Sequence, residues 1–277
     1  MVSRRPLLIA TAVAALGAEV FSDAAQAQQK RSLADPLRVG VDIALFDGGL
    51  ARGLQQGFGR DTGIAVQLVR LPATGLLEAL DRGEFDAGLC NATDAEVKLD
   101  KLGLVHDRRV VARGEFLIVG PAPRGAGGEP ARIAGLRDAG LALQRLRDVA
   151  LADPSALTFL SANDGSGVHL AEQALWRAAR IAPAPPWYAS AAPGSELIGQ
   201  SRVRKAYALV ERGAWLAQGG SPLALLVEGD PALAQTVHVM RSFRVSHPAG
   251  KIFVSWITGT KGRHVVAKSP GYQLPPA

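Results

Sequence analysis

The chain has 277 residues, with 31 Lys and Arg against 25 Asp and Glu, a formal net charge of +6, 48% hydrophobic residues and a single cysteine. That apolar content excludes intrinsic disorder, and one cysteine excludes a disulfide-stapled scaffold. The length permits one or two domains with a substantial core, and aromatic residues at only 5% argue against a base-stacking nucleic-acid platform.

The first residues carry the three parts of an export signal. Arg4 and Arg5 precede the apolar run Leu7–Leu16, and Ala25-Gln26-Ala27 supplies a small-residue cleavage site. The apolar run is short of the ~20 residues that span a bilayer. The reading is a signal peptide over 1–27 and a periplasmic mature chain. Ser3-Arg4-Arg5-Pro6-Leu7-Leu8 also resembles a twin-arginine signal, which leaves two export routes open. Export puts Cys90 in an oxidising compartment with no internal partner.

From Leu37 the pattern alternates strand and helix. The apolar run Leu37–Ile43 predicts a buried strand. Leu50, Leu54 and Phe58 share one helical face, with Asp47 as the expected cap. Asp61-Thr62-Gly63 turns into a strand over Ile64–Val69, and a helix carrying Leu77 and Leu80 follows. Strands are predicted at Asp86–Cys90 and Phe116–Val119, then a Gly/Pro-rich crossing at Pro121–Pro130. Beyond it the pattern predicts a helix over Leu136–Ala152, a strand at Leu157–Leu160 and a helix at Val168–Ala179. Strands at Tyr207–Val210, Leu223–Val227 and Thr236–Met240 and a closing helix near Ile252–Thr258 complete the chain. This order predicts mostly parallel sheets flanked by helices, divided into two lobes.

Catalytic and metal chemistry is thinly represented. Ser166 lies in Asp164-Gly165-Ser166-Gly167, which is not a nucleophile elbow because Asp164, with Asn163 before it, stands where the first glycine belongs. The five histidines lack i, i+4 partners, and neither a phosphate loop nor a dinucleotide fingerprint is present. Arg and Lys occur as local pairs and triplets rather than as a nucleic-acid track. The reading is no enzyme, no cofactor, no metal and no nucleic acid. The informative segments are four small-residue turns at helix starts: Asp42–Gly49, Ala73–Gly75, Asn163–His169 and Gly194–Glu196. Each alone reads as a tight turn. Together, at the carboxyl ends of strands, they read as the rim of a ligand cleft.

Several ordered segments resemble the tungstate-binding proteins of ABC importers, within the type II periplasmic solute-binding fold. They include Leu45-Phe46-Asp47-Gly48-Gly49, Arg82-Gly83-Glu84-Phe85-Asp86-Ala87 and Asp164-Gly165-Ser166-Gly167. Leu175-Trp176-Arg177-Ala178-Ala179 and Glu211-Arg212-Gly213-Ala214-Trp215-Leu216 continue the match. The resemblance implies an α/β fold of two lobes joined by two hinge crossings: 37–120 with 240–277, and 121–239. It implies a monomer that takes a small oxyanion such as tungstate or molybdate between the lobes and delivers it to a membrane permease. The implied ligand positions are Asp42, Ile43, Ala44, Thr74, Ala162, Ser166, Gly167, Val168 and Ser195. Several depart from the family pattern, which carries Thr and Ser around Val41–Ala44, and Arg and Thr at Ala162 and Val168. Asp42 places a negative charge beside the expected anion. The expectation is therefore a retained scaffold with altered specificity, for a polar or cationic ligand. The alternative is a periplasmic sensor or accessory factor on the same scaffold.

Overall fold

Strand β1 (Leu37–Asp42) is buried along almost its whole length, as its near-continuous apolar sequence requires. It belongs to a computed structural model that describes residues 31–125, 128–194 and 196–276. The signal peptide expected over 1–27, and Ser195, lie outside the described residues. Parallel partners flank β1: β2 (Val66–Leu71) pairs Leu37 with Val66, and β3 (Ala87–Cys90) pairs Val39 with Ala87.

Between these strands run α1 (Ile43–Asp47), α2 (Leu50–Thr62) and α3 (Ala73–Arg82). Leu50, Leu54 and Phe58 of α2 enter the core together with β1, as their spacing predicts. Asp47 is not the cap of α2. Gly49 takes that place in the left-handed region, φ 82°, and Asp47 ends α1 with its carboxylate turned to Arg70. A two-point bond to a guanidinium outcompetes a single capping bond.

After α4 (Thr93–Lys101) comes the long strand β4 (Val105–Pro121). Its first part, Val105–Glu115, pairs antiparallel with β9 (Ala234–Ser242), which also pairs antiparallel with β3. Its second part, from Phe116, pairs antiparallel with β7 (Ala208–Glu211) and β8 (Leu223–Val227). One strand thus belongs to two sets of partners, and the sheet curls along it. The sheet is mixed: the pairings that β4 and β9 make are all antiparallel, where the sequence reading expected mostly parallel sheets. The reason is that β9 returns from the far end of the chain and inserts between β3 and β4, which are joined through α4, so that it runs antiparallel to both.

The second set of partners is covered by α5 (Ala139–Ala152), α6 (Gly167–Ala178), α7 (Leu197–Arg204) and α8 (Arg212–Gln218). A short parallel pair, β5 (Phe159–Ser161) with β6 (Tyr188–Ser190), lies beside them. Trp176, Trp187, Phe159 and Tyr207 anchor a core distinct from the one around β1. Helices α9 (Pro248–Thr258) and α10 (Thr260–Lys268) return to α2, where Phe253 and Trp256 meet Phe58 edge-on. Among the described residues no helix is long and apolar enough to cross a membrane.

One charged cluster lies inside this half. Glu96 of α4 is 0% exposed and meets Arg108 of β4 at 3.0 Å and His238 Nδ1 of β9 at 2.8 Å. Removing one member of a buried charged cluster strands the rest. Glu96→Ala is expected to lower unfolding stability by about 3 kcal/mol, measured as a shift in the urea midpoint at an unchanged slope.

Candidate functional site

The carboxyl end of β1 delivers Asp42 into the interior, where its side chain is 0% exposed. One carboxylate oxygen accepts the Ala44 N–H at 3.1 Å and so caps α1. The other accepts the Gly167 N–H at 3.0 Å, the first amide of α6, 125 residues further along the chain. Burial raises the Asp42 pKa to about 6, and the nearby charge of Asp164 adds to the rise, while the donated amides oppose it.

The turn that presents Gly167 is gripped from several sides. Thr74 N–H donates to the Gly165 carbonyl at 3.1 Å. A β-carbon on Gly165 would stand 2.3 Å from Thr74 Oγ1, and one on Gly167 would stand 1.9 Å from Asn91 Oδ1. Gly165 also needs its φ of 76°, so glycine is required there both by space and by backbone conformation. Ser166 caps α6 by accepting the His169 N–H at 3.3 Å, and Asp164 accepts the Ser166 N–H at 2.9 Å. Gly165 N–H donates to His169 Nδ1 at 3.1 Å, and burial lowers the pKa of that ring.

A second buried carboxylate closes the next corner. Glu211, the last residue of β7, is 1% exposed and caps α8 through the Ala214 N–H at 2.8 Å. Gln235 bridges it to Asn91: Gln235 Nε2 donates to Glu211 Oε1 at 2.7 Å, and Asn91 Nδ2 donates to Gln235 Oε1 at 2.7 Å. Burial raises the Glu211 pKa to about 7, against the pull of these donors.

Above the two carboxylates opens a cavity of about 490 Å³. Ile43, Ala44, Leu71 and Pro72 line it from the β1 side, and Ala162, Val168, Ile198 and Val210 from the other. Its charged lining is Asp47, Asp164, Glu196 and Glu211 against Arg70 alone. Asp47 already takes Arg70 in a two-point bond, 2.8 Å from Nε and 2.7 Å from Nη2. The cavity is therefore apolar in its walls and negative in its rim. Among the described residues no three His, Cys, Asp or Glu side chains gather to hold a metal.

Five of the expected positions, Ile43, Ala44, Ala162, Ser166 and Val168, line this cavity. Asp42 and Gly167 lie buried and bonded to each other rather than in the lining. Thr74 is not part of the lining and instead packs on Gly165. Asp47 and Glu196 fall within the turns expected at the cleft rim, though not among the expected ligand positions, and Arg70 and Glu211 belong to neither set. Glu211 carries a usable signal: an acidic residue directly after the apolar run Tyr207–Val210 and before a helix. The Arg70–Asp47 pair carries none, because it depends on β2 lying beside β1.

A curled mixed sheet flanked by helices, with a cavity at strand ends and helix starts, defines the type II periplasmic binding protein architecture. Residues 26–261 match the PBP superfamily domain, and the chain belongs to that family. It is 25% identical over 279 aligned residues to the tungstate-binding protein TupA of Peptoclostridium acidaminophilum, covering 96% of this chain and 94% of that one. The structure of the tungstate ABC transporter from Geobacter sulfurreducens superimposes with a TM-score of 0.71 at 26% identity, over 84% of this chain and 98% of that one. The tungstate-binding protein TupA of Desulfovibrio alaskensis shares the fold with a TM-score of 0.67 at 23% identity, over 88% and 100% of the two chains.

The two raised carboxyl pKa values set the pH response. Each group holds its proton more tightly folded than unfolded, so its contribution to stability is fully present below about pH 4 and is lost as pH rises through about 6 for Asp42 and about 7 for Glu211. The thermal midpoint is expected to fall between pH 5 and pH 8. Asp42→Asn is expected to flatten the part of that decline centred near pH 6, read by calorimetry across buffers.

Proposed function

We propose that this chain is the exported solute-binding component of an ABC importer, working in the periplasm with a membrane permease and without catalysis. Its relatives' names and its superfamily support the transport reading. The ligand is small and polar or cationic, and it binds in the cavity above Asp42. The observation that carries this reading is the negative rim: Asp47, Asp164, Glu196 and Glu211 face a space whose single guanidinium is already taken by Asp47. An oxyanion entering that space meets like charge, whereas an ammonium or guanidinium group meets Asp164, Glu196 and Glu211, with Asp47 and Arg70 matched to each other, and apolar walls for its carbon skeleton.

The two lobes, expected as 37–120 with 240–277 and 121–239, close about β4 near Glu115–Phe116, where its partners change from β9 to β7, and about the returning segment, so both boundaries fall a few residues earlier than expected. Pairing of Ala234 with Glu115 favours placing the second crossing at about residue 233. Helix starts from both sides of the sheet supply the rim, so closure buries the ligand between them.

The test uses the purified mature chain. Native mass spectrometry is expected to show a copurifying organic molecule, and calorimetric titration with tungstate and molybdate is expected to give no saturable heat. A panel of small amines and guanidines is expected to contain a ligand of micromolar affinity or better, which raises the thermal midpoint by several degrees. Nanomolar tungstate binding by the unmodified chain overturns the altered specificity.

A further inference from the structure

We propose that Asp42 is a tethered anion: its carboxylate occupies the point where amides of two distant segments converge, and by holding that point it excludes free oxyanions from this chain. It deepens the solute-binding reading by naming the residue that sets what the site refuses.

The first support is the company Asp42 keeps. It is 0% exposed, yet among the described residues no Lys, Arg or His forms an ion pair with it. A buried carboxylate without a counter-ion is costly, and such groups persist when donors surround the charge. Here the donors are main-chain amides, Ala44 N at 3.1 Å and Gly167 N at 3.0 Å, one from the adjacent turn and one from 125 residues away. Amides converging on a negative oxygen are the chemistry by which a backbone holds an anion. Here the anion is carried in on a side chain.

The second support is the fit of the surrounding backbone. Asn91 and Thr74 press on Gly167 and Gly165 so closely that neither position has room for a β-carbon. The amide of Gly167 is therefore held at the Asp42 carboxylate and cannot swing to another partner while this packing holds. A third observation is independent of both: the adjoining cavity presents three more acidic side chains, Asp164, Glu196 and Glu211, while its guanidinium, Arg70, is matched to Asp47. A dianion would have to displace Asp42 and then sit beside those charges.

A second side chain follows the same rule. Glu211 fills the start of α8 through the Ala214 N–H, from a different strand end. The ends of β1 and β7, two of the buried strand ends that turn into a helix beside the cavity, are thus already supplied with a carboxylate. Asp42 is the more telling of the two, because its bond to Gly167 joins the end of β1 to the start of α6, 125 residues away in the chain.

The experiment removes the tether and offers free anions. Wild type, Asp42→Gly, Asp42→Ser and Asp42→Asn are purified as mature chains, and tungstate, molybdate, sulfate and formate are titrated calorimetrically with a parallel thermal-shift series. Wild type is expected to bind none of them at millimolar concentration. Asp42→Gly and Asp42→Ser are expected to gain at least a hundredfold in affinity for tungstate or molybdate, and formate is expected to restore part of the thermal midpoint that Asp42→Gly loses. Asp42→Asn, which keeps the space filled but turns an amide nitrogen toward one of the donors, is expected to gain nothing. Asp42→Ser retains one acceptor for the Ala44 amide and serves as the deciding variant if Asp42→Gly fails to fold. A folded Asp42→Gly or Asp42→Ser with anion affinity unchanged within threefold overturns the proposal, as does an equal gain by Asp42→Asn. The amine titration of the unmodified chain is a separate measurement, so loss of the tethered-anion idea leaves the cationic-solute reading standing, and the reverse.

Discussion

A carboxylate removed from water must be given hydrogen-bond donors or lose its charge, and the interior of this protein is organised by that constraint. Asp42 and Glu211 end buried strands, and each is supplied with the free amides at the start of a helix. The positions of α1, α6 and α8 follow, because a helix whose first amides serve a fixed carboxylate cannot rotate or slide without breaking the bond. Asn91 and Gln235 then tie the Glu211 corner back to β3 and β9. What lies above, the cavity with its apolar walls and acidic rim, inherits its shape from these fixed corners.

The long strand β4 supplies the frame on which the corners are set. By pairing first with β9 and then with β7 and β8, it carries a single run of backbone through two hydrophobic cores. Each core has its own aromatic anchors: Phe58, Phe253 and Trp256 in one, and Phe159, Trp176 and Trp187 in the other. The residues that bring Asp42 to Gly167 therefore come from parts of the molecule with separate interiors. Their contact is a bond between two packed bodies of side chains rather than a detail within one.

Much of this frame is legible in the sequence. The apolar run of β1, the 3.6-residue stripe of α2 and the turn residues before α3 and α6 each specify a local structure by themselves. What the sequence hides is non-local. The first part of β4, around His106–Arg109, is polar and reads as loop, because it becomes a strand only by pairing with β9. Helix α4 lacks a broad apolar stripe, and its buried face is centred on Glu96, which needs Arg108 and His238 as partners. The site follows the same division. Ile43, Ala44, Ser166 and Val168 fall in turns that strand-end logic picks out and Ala162 is implied only by the family resemblance, whereas the Asp47–Arg70 pair requires knowing which strands are neighbours. Asp42 is singled out in the sequence as a charge next to an expected anion, but its bond to Gly167 is a fact of three-dimensional convergence.

The single cysteine acquires a use from its place in β3. Cys90 is 0% exposed, pairs in the strand with His238, and burial pushes its thiol pKa well above the usual value. A thiol that is neither ionised nor reachable does not react with alkylating reagents on the timescale of a folded sample. The rate of its modification therefore counts openings of the cluster under α3, where Cys90 packs with Leu76, Leu80 and Met240. In a chain with no second sulfhydryl, that rate is an uncontaminated clock for native-state fluctuation, built in without an added label.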